Sequence, residues 1–489
     1  MRLDILLENI KYSCTGLIND CDIKGIAYDS RKVKDGYLFV CIKGIQNDGH
    51  DYADQAVKNG AVAILSEKIL SSWPAGIISV VTNDTRKALS VLAANFYGKP
   101  SERIKVVGVT GTNGKTTVTH MIKAILEEAG EKTGIVGTLY SKIGEEENDL
   151  GLTTPESLEL EEFLAKCEQQ NARYMAMEVS AHAIYMRRVD NVNFYCAVFT
   201  NLSRDHLDFF NNMEEYLAAK LGFIKMLSDQ NGGFGVINAD DTYKDDFINA
   251  ANVPCYTYGF SKEAIVRAEQ LIMGKNGTEF VVAIGQKYLH IKMSLIGRFN
   301  VYNALAAITF AWQAGIDFKI IKKALANFRE VAGRFEKVDK GQDFTLVVDY
   351  AHTPDGLENI LKTAKEIALG RIITVFGCGG NRDAGKRPLM GEIVARWSDF
   401  TIITSDNPRD EEPADIVNEI VTGVNEVANS RYAIILDRQE AIHHAVNLAK
   451  KDDFVVIAGK GHETYQIIKG EKIAFDDRKV AAEFLERLI

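Results

Sequence analysis

The stretch 106–117, VVGVTGTNGKTT, limits most strongly what this chain can fold into. It combines a short apolar strand, a glycine-rich turn and the start of a helix. Such a turn presents free backbone N–H groups at a helix N-terminus, where the helix dipole favours a bound polyphosphate. Lys115 is suited to neutralise the terminal phosphates, and the Thr116 hydroxyl is suited to hold Mg²⁺. The strict spacing G-x-x-x-x-G-K-[ST] fails because Val109 stands five residues before Gly114, so the sequence predicts a phosphate loop of unusual type.

Strand-like and helix-like runs alternate from residue 104 onward, and a second alternation of the same kind follows Gly333. This pattern predicts α/β domains with mostly parallel sheets covered by helices on both faces, the last one a second doubly wound sheet. Between 264 and 295 short strands follow one another around a turn at 274–277, which predicts a small antiparallel appendage to the central sheet.

The length of 489 residues is too great for a single core and predicts about three domains. The segment GKPS at 98–101 and Gly333 mark the two expected boundaries. The predicted domains are therefore 1–100, 101–332 and 333–489.

Charge and cysteine content restrict the class of protein. The net charge of −10 argues against a dedicated nucleic-acid binder and favours small anionic partners. The seven scattered cysteines include no C-x-x-C pair, which indicates reduced thiols. Neither a signal peptide nor an apolar run of membrane-spanning length is found, so a cytoplasmic protein without a membrane span is expected.

In the central segment, charged residues follow the apolar strands. Glu178 ends the strand-like run RYMAME, from which it could hold Mg²⁺ or simply bond to loop backbone. The run TNLSRDHLDFF at 200–210 places His206 after another strand, although helix capping by Ser203 or Asp205 would explain part of this cluster. Lys220 lies in a helical pattern, whose composition alone predicts a solvated surface lysine.

Three strand ends of the last segment carry further polar residues. Asp349 and His352 follow one strand in VVDYAHTP, SDNPR follows a second, and AGKGHE a third. The loop FGCGGNRDAGKRP is not a dinucleotide fingerprint, because Arg382 stands where a third glycine is needed. We interpret it as a flexible loop presenting Arg382, Lys386 and Arg387 to anionic ligands. The convergence predicts a site for amino or carboxylate groups.

Taken together, TGTNGKTT, EVSAHA, TNLSRDHLD, DYAHTPD, GCGGNRD, SDNPR and AGKGHE closely resemble the Mur ligase family, in order and over essentially the whole chain. The resemblance implies an N-terminal domain for a uridine nucleotide, a central P-loop-type ATPase domain and a C-terminal Rossmann-like domain supplying an amino acid. It implies an enzyme of peptidoglycan synthesis, expected to be a monomer, that forms an amide through an acyl phosphate.

Matching positions imply two sets of binding residues. The ATP contacts implied by the resemblance are Gly111, Thr112, Asn113, Gly114, Lys115, Thr116, Thr117, Asn303, Arg334, Asp349 and His352. The implied contacts to the substrate UDP-N-acetylmuramoyl-L-alanyl-D-glutamate are Ser30, Gln46, Thr153, Thr154, Ser180 and Arg188.

The resemblance also assigns catalytic and metal roles. It implies Mg²⁺ held by Thr116 and Glu178, with His206 on or near a second ion. It makes Lys220 a carbamylated lysine, which reverses the surface interpretation and turns a cation into an oxygen ligand for Mg²⁺. Lys115, Glu178, His206 and Lys220 are the implied catalytic residues.

SDNPR indicates which amino acid is added. Arg409 resembles the arginine of members that add meso-diaminopimelate, whose second carboxylate it could bind bidentately. The implied amino-acid site consists of Arg382, Asp406, Asn407, Pro408, Arg409, Gly459 and Glu463. Lysine or lanthionine as acceptor, another ligase of the same fold such as a folylpolyglutamate or dipeptide-adding type, and a regulatory nucleotide-binding module remain the alternatives.

Overall fold

The structure, a computed structural model, describes residues 1–44, 47–70, 76–229, 232–274 and 276–488. Three sheets of five, eleven and six strands each carry helices and a buried apolar core, and a two-stranded ribbon accompanies the third sheet. This three-domain α/β architecture confirms the fold class that chain length, alternating runs and the family resemblance led us to expect. The boundaries at residues 100 and 332 stay predictions.

The first domain is built on a five-stranded sheet. Its elements are α1 (Leu3–Leu6), β1 (Ser13–Thr15), β2 (Gly25–Ala27), β3 (Tyr37–Val40), α2 (Ala53–Lys58), β4 (Ala61–Ser66), β5 (Ile78–Val81) and α3 (Thr85–Phe96). The strand order is β1-β5-β4-β3-β2, with only β1 antiparallel to its neighbour. Alternation along β3 sends Leu38 and Val40 into one apolar cluster and Phe39 into another, so the sheet is covered on both faces.

The central domain carries the phosphate loop. Its first elements are β6 (Lys105–Thr110), α4 (Lys115–Glu128), β7 (Thr133–Val136), β8 (Ser141–Ile143), β9 (Glu146–Asn148), α5 (Ser157–Gln169), β10 (Tyr174–Glu178), α6 (Ala181–Tyr185) and β11 (Phe194–Phe199). They are followed by α7 (Met213–Ile224), β12 (Phe234–Asn238), α8 (Lys244–Ala250), β13 (Cys255–Gly259), β14 (Val266–Gly274), β15 (Gly277–Ile284), β16 (Lys287–Met293), α9 (Arg298–Gln313) and α10 (Phe318–Asn327).

The central sheet places β6 between β10 and β11, all three parallel. Val107 and Val109 point into one core cluster and Val106 into the other, as expected for a strand buried on both faces. Glu178 lies opposite Val109 in register. The carboxyl ends of the three strands therefore lie at one edge, where a ligand crevice is expected.

Antiparallel strands extend both sides of this sheet. β15 pairs antiparallel with both β14 and β16, which confirms the predicted appendage, although Lys275 of the predicted turn lies outside the described residues. On the other side β7, β8 and β9 form an antiparallel extension that the sequence did not predict. All three residues of β9 are exposed, so the apolar alternation that marks a strand is missing there.

The third domain has a six-stranded sheet. Its elements are β17 (Glu336–Lys337), β18 (Thr345–Asp349), α11 (Pro354–Ile367), β19 (Ile372–Phe376), α12 (Lys386–Trp397), β20 (Phe400–Ile403), α13 (Pro413–Val424), β21 (Tyr432–Ile434), α14 (Arg438–Leu448), β22 (Phe454–Ala458), β23 (Tyr465–Ile468), β24 (Glu471–Ala474) and α15 (Asp477–Leu488). The order is β17-β18-β22-β19-β20-β21, and β18 through β21 are parallel. The predicted convergence of strand ends is confirmed.

Two further sequence expectations bear on the fold. Every one of the seven cysteines is free. Across the described ranges, no helix has both the length and the apolar character needed to cross a membrane.

Candidate active site

The phosphate loop lies at the carboxyl end of β6. α4 begins at Lys115 directly after Gly114, whose φ of 87° lies in the left-handed region that glycine adopts without strain. A Cβ at this position would also lie 2.5 Å from Asn303 Oδ1. The Lys115 ammonium donates hydrogen bonds to the carbonyl oxygens of Gly111 (2.9 Å) and Thr112 (2.8 Å). The loop thus holds this charge at the N-terminus of α4.

A cavity of about 610 Å³ opens beside the loop, between the central and third domains. The predicted site residues that line it are Gly111, Thr112, Asn113, Gly114, Lys115, Thr116, Thr117, Thr153, Thr154, Glu178, Ser180, Arg188, His206, Lys220, Asn303, Arg334, Asp349, His352 and Arg382. Seven others lie elsewhere in the described residues, namely Ser30, Asp406, Asn407, Pro408, Arg409, Gly459 and Glu463. Gln46 lies outside the described residues.

Two oxygen-bearing side chains at this cavity suit a hard cation. Glu178 is buried, and its carboxylate accepts hydrogen bonds from the Thr138 N–H (2.8 Å) and hydroxyl (3.1 Å). The Thr116 hydroxyl accepts a hydrogen bond from Arg334 Nη2 at 3.0 Å. No group of three or more His, Cys, Asp or Glu side chains that could hold a metal occurs among the described residues. Mg²⁺ needs only one or two protein carboxylates or hydroxyls besides phosphates and water, so these oxygens fit it.

Lys220 is buried, so the interpretation of a surface lysine is wrong. Its side chain is 1% exposed, and its Nζ donates to the Gly111 carbonyl oxygen at 2.9 Å. Burial, aided by the charge of Lys115, places the pKa of the Lys220 amine well below its usual value. The structure thus places a buried amine of lowered pKa next to the phosphate loop.

Asp205 joins the two domains at the cavity. Its carboxylate lies 3.3 Å from His206 Nε2 in the central domain. It also lies 3.9 Å from both His352 Nε2 and Lys386 Nζ in the third domain. Burial opposes ionisation of Asp205, but these three neighbours outweigh it and lower the pKa of the carboxyl. Burial lowers the pKa of His206 to about 3 and that of His352 to about 4, so both imidazoles are neutral at pH 7.

The predicted amino-acid-binding loops follow β20 and β22. The Asn407 amide donates to Glu463 Oε2 at 2.8 Å and so ties one loop to the other. The Arg409 N–H donates to the Ile467 carbonyl oxygen at 3.0 Å, which holds this residue against β23. Its guanidinium donates to the Gly380 carbonyl oxygen at 2.7 Å. The loops that carry Arg409 and Glu463 are therefore fixed relative to each other.

A fully buried ion pair lies beneath both loops. Arg438 at the start of α14 donates to both carboxylate oxygens of Asp477 at 2.8 Å, and neither side chain is exposed. The same guanidinium donates to the carbonyl oxygens of Ala458 (2.9 Å) and Ser405 (3.4 Å). One arginine thus connects the ends of the two strands from which the loops leave.

Comparison with known proteins identifies the family. The models for the Mur ligase family, catalytic domain, the Mur ligase middle domain and the Mur ligase, glutamate ligase domain match residues 22–97, 109–311 and 333–461. A protein of Syntrophomonas wolfei subsp. wolfei, named UDP-N-acetylmuramoyl-L-alanyl-D-glutamate--2,6-diaminopimelate ligase, is 54% identical over 485 residues, 99% of each chain. The chain belongs to the Mur ligase family.

Solved structures share the fold of this Mur ligase. A ligase of the same name as that relative superposes with a TM-score of 0.70 at 31% identity, covering 100% of this chain and 99% of the other. The MurF ligase from Thermotoga maritima, in complex with ADP, has a TM-score of 0.67 at 19% identity over 96% of this chain and 100% of its own. At that lower identity the likeness shows the fold alone.

The prediction of a flexible cationic loop is wrong for two of its three residues in this Mur ligase. Lys386 and Arg387 are buried because α12 begins at Lys386 and packs its first turn inward. Arg387 is paired with Glu411 at 2.9 Å and Glu419 at 3.0 Å. The ordering of this loop was missed because both acidic partners lie beyond the next strand in the sequence.

The implied substrate contacts of the central domain lie together near Glu178. The Thr154 hydroxyl donates to the Glu178 carbonyl oxygen (2.8 Å) and accepts from the Ser180 N–H (3.0 Å), while Arg188 donates to the Thr154 carbonyl oxygen (3.1 Å). Thr153 shares a hydrogen bond of 3.1 Å with the Thr138 hydroxyl. Ser30 begins a short 3₁₀ turn in the first domain, apart from this group.

Several further residues line the cavity of this Mur ligase without having been predicted: Thr138, Asn238, Asp240, Asp241, Arg298, Phe299 and Tyr302. The Tyr302 hydroxyl donates to Asp240 Oδ2 at 2.8 Å, and Arg298 stacks 3.9 Å from the centre of the Phe260 ring. The acidic pair after β12 could have been found by the rule that led to Glu178, since it too follows the carboxyl end of a parallel strand.

Proposed function

We propose that this Mur ligase joins meso-diaminopimelate to UDP-N-acetylmuramoyl-L-alanyl-D-glutamate in peptidoglycan synthesis, using ATP. One observation gives this proposed function its main structural support. A Cβ on Gly379 would lie 2.9 Å from Arg409 Nη1 and 3.8 Å from Arg382 Cγ, so both arginines flank one glycine. Because Arg382 also lines the cavity of the phosphate loop, the amino-acid loops and the nucleotide loop border one reaction space.

In the first step the γ-phosphoryl group of ATP passes to the terminal substrate carboxylate, giving an acyl phosphate and ADP. Lys115 and the N–H groups at the start of α4 bind the phosphates and neutralise charge as the bond to the leaving oxygen breaks. Thr154, Ser180 and Arg188 place the peptide end of the substrate beside Glu178. Positioning is the main contribution of these residues, because no side-chain nucleophile is required.

In the second step the amine of diaminopimelate attacks the acyl carbon, inorganic phosphate leaves and the nitrogen loses a proton. Glu463 binds an ammonium of the amino acid, and Arg409 binds its distal carboxylate as a planar fork. Asp406, Asn407, Pro408 and Gly459 shape the same pocket. L-lysine lacks that second carboxylate, so Arg409 selects against it.

Thr116 and Glu178 would hold Mg²⁺, with His206 beside them. The ion supplies charge stabilisation to the transferring phosphoryl group. Lys220 could add an oxygen ligand only as a carbamate, and its buried amine of lowered pKa suits that modification. Asn303, Arg334, Asp349 and His352 would complete the nucleotide site. We place the enzyme in the cytoplasm as a monomer.

The test is a phosphate-release assay with ATP, the UDP-linked dipeptide and one of three acceptors: meso-diaminopimelate, lysine or lanthionine. Release is expected to be fastest with meso-diaminopimelate. Lys115→Ala should abolish it, whereas Lys123→Ala should not, since Lys123 pairs with Glu127 on the same helix. If no phosphate is released with any of the three acceptors, the proposed function is refuted. If release is fastest with lysine, the protein is a lysine-adding ligase instead.

A further inference from the structure

Lys460 has no solvent exposure and lies beneath the proposed amino-acid site. Its Nζ donates hydrogen bonds to Asn407 Oδ1 at 3.0 Å and to Glu463 Oε2 at 2.9 Å. The same atom lies 5.8 Å from the centre of the Tyr465 ring. Lysine is almost never fully buried unless it is paired, so this ammonium is held by the two side chains it touches.

The backbone around Lys460 explains its inward direction. Gly459 has a φ of 114°, and a Cβ there would lie 2.6 Å from Asp406 Oδ2. The Glu463 N–H donates to the Lys460 carbonyl oxygen at 3.0 Å and closes the turn. The turn thus places Glu463 at the site while the lysine side chain enters the protein behind it.

Lys460 determines how Asn407 is oriented. The Asn407 side-chain oxygen accepts from Lys460 Nζ and from the Ile467 N–H at 3.0 Å. An amide oxygen with two donors leaves the amide nitrogen to donate elsewhere, and it does so to Glu463 Oε2 at 2.8 Å. The three side chains form a closed ring of hydrogen bonds that does not depend on the substrate.

The ring leaves one carboxylate oxygen of Glu463 available. Oε2 accepts from both Lys460 and Asn407, whereas Oε1 has no hydrogen bond to any part of the chain that the structure describes. An ionised carboxylate oxygen can accept two hydrogen bonds, and an ammonium group is the matching donor.

We propose that Lys460 is a positioning residue for the diamino acid, which it holds through Glu463 and Asn407. Its ammonium fixes Oε2 of Glu463 from behind and so directs Oε1 toward the substrate ammonium. Lys460 itself does not contact the substrate. The inference rests on the proposed function, because it takes Glu463 as the group that receives an amine.

Two substitutions separate hydrogen bonding from charge. Lys460→Met removes both, whereas Lys460→Gln keeps an N–H donor for Glu463. We expect Lys460→Met to raise the KM for meso-diaminopimelate by roughly tenfold or more, the usual order for a lost charged partner. The KM values for ATP and the UDP-linked dipeptide should change by less than about twofold, as for sites with no shared partner. Lys460→Gln should also raise only the KM for meso-diaminopimelate, but by a smaller factor.

Lys472→Met is the matched control, because Lys472 lies 4.4 Å from the centre of the same Tyr465 ring but on exposed β24. It should leave all three KM values unchanged. A double-mutant cycle with Glu463→Gln then tests the route of action. If Lys460 acts largely through Glu463, Lys460→Met should raise the KM for diaminopimelate much less in the Glu463→Gln enzyme than in the wild-type enzyme.

Wild-type turnover of meso-diaminopimelate is measured first, so a failure of the proposed function is seen separately. Equal rises in all three KM values, or additive effects in the cycle, would overturn the role of Lys460 and leave that function standing. Thermal unfolding of each variant is recorded alongside. If Lys460→Met does not fold, the proposal is tested with Lys460→Gln alone. An unchanged KM for diaminopimelate in Lys460→Gln would then overturn the proposal.

Discussion

Arg204 of the central domain and Asp383 of the third domain form two parallel hydrogen bonds, from Nε to Oδ2 at 3.0 Å and from Nη2 to Oδ1 at 3.1 Å. A second pair runs in the opposite sense, since Arg382 of the third domain donates to Asp208 of the central domain at 3.4 Å. Both pairs join the central domain to the third domain, and Arg382 also lines the cavity. The contact between the two domains therefore extends to the edge of the cavity.

Arg204→Glu should lower kcat/KM for phosphate release by roughly three- to tenfold, because it removes a partly exposed pair and adds repulsion. Adding Asp383→Arg to the same chain should restore part of the loss. Arg173→Glu is the control, since its partner Glu131 lies within the central domain. If kcat/KM of the double variant is no higher than that of Arg204→Glu, Arg204 and Asp383 do not act as a pair.

Arg409→Ala should cost about 2–4 kcal/mol in kcat/KM for meso-diaminopimelate, because one partner of a charged pair would be left without the other. The kcat/KM with lysine as acceptor should fall much less. Lys469→Ala on the adjoining turn is the control, since its exposed side chain pairs with Glu412. Equal losses for both acceptors would remove Arg409 as the selecting residue.

Lys220→Ala should abolish ligation, since it would remove the side chain proposed to supply an oxygen ligand as a carbamate. Short carboxylates such as formate or acetate should restore part of the activity by supplying an oxygen at that place. Lys225→Ala, just beyond the end of α7 and exposed, should stay active. Full activity of Lys220→Ala would exclude Lys220 from the site, and mass spectrometry of the intact protein would show the carbamate directly.

Glu161→Gln should stabilise the protein at pH 8 but not at pH 5. Burial raises the pKa of Glu161 from 4.5 to about 8, and one of its carboxylate oxygens has no hydrogen-bond partner in the structure. The folded state therefore binds more protons than the unfolded state between these pH values, so stability is lost as pH rises through that range.

The glutamine variant avoids this loss. A gain of ~2 kcal/mol at pH 8 would raise Tm by roughly 4–8 °C, measured by calorimetry across pH 5 to 8. Glu162→Gln provides the control, because the partly exposed side chain of Glu162 pairs with Lys166, and this variant should give no comparable gain in Tm. A gain for Glu161→Gln that is equal at pH 5 and pH 8 would mean that its carboxyl does not titrate as described.

Residues at strand ends could be predicted because periodicity locates strands, and the carboxyl ends of parallel strands share an edge. Glu178 and Asp349 were found in this way, and both are buried at the cavity. Periodicity also predicted the central sheet, its antiparallel appendage and the sheet of the last domain. It did not predict that Asp205 links the two domains, because a helix-capping role for Asp205 would explain part of the same charged cluster.

Lys220 shows why other features could not be predicted from local pattern. Its burial depends on the Gly111 carbonyl group, 109 residues away in the sequence, and no helical periodicity contains that contact. Only the resemblance to a family pointed to it. Arg438 and Asp477 are 39 residues apart in ordinary helical sequence, so their pairing also needed the packed structure.

The position of Asp477 has a consequence for biosynthesis. It follows every other proposed residue of the amino-acid site in the chain, yet its carboxylate holds the arginine that connects both loops. During translation the strands and loops therefore leave the ribosome before the side chain that locks them together. Arg438 can therefore be neutralised by Asp477 only after both strands that it connects have been synthesised.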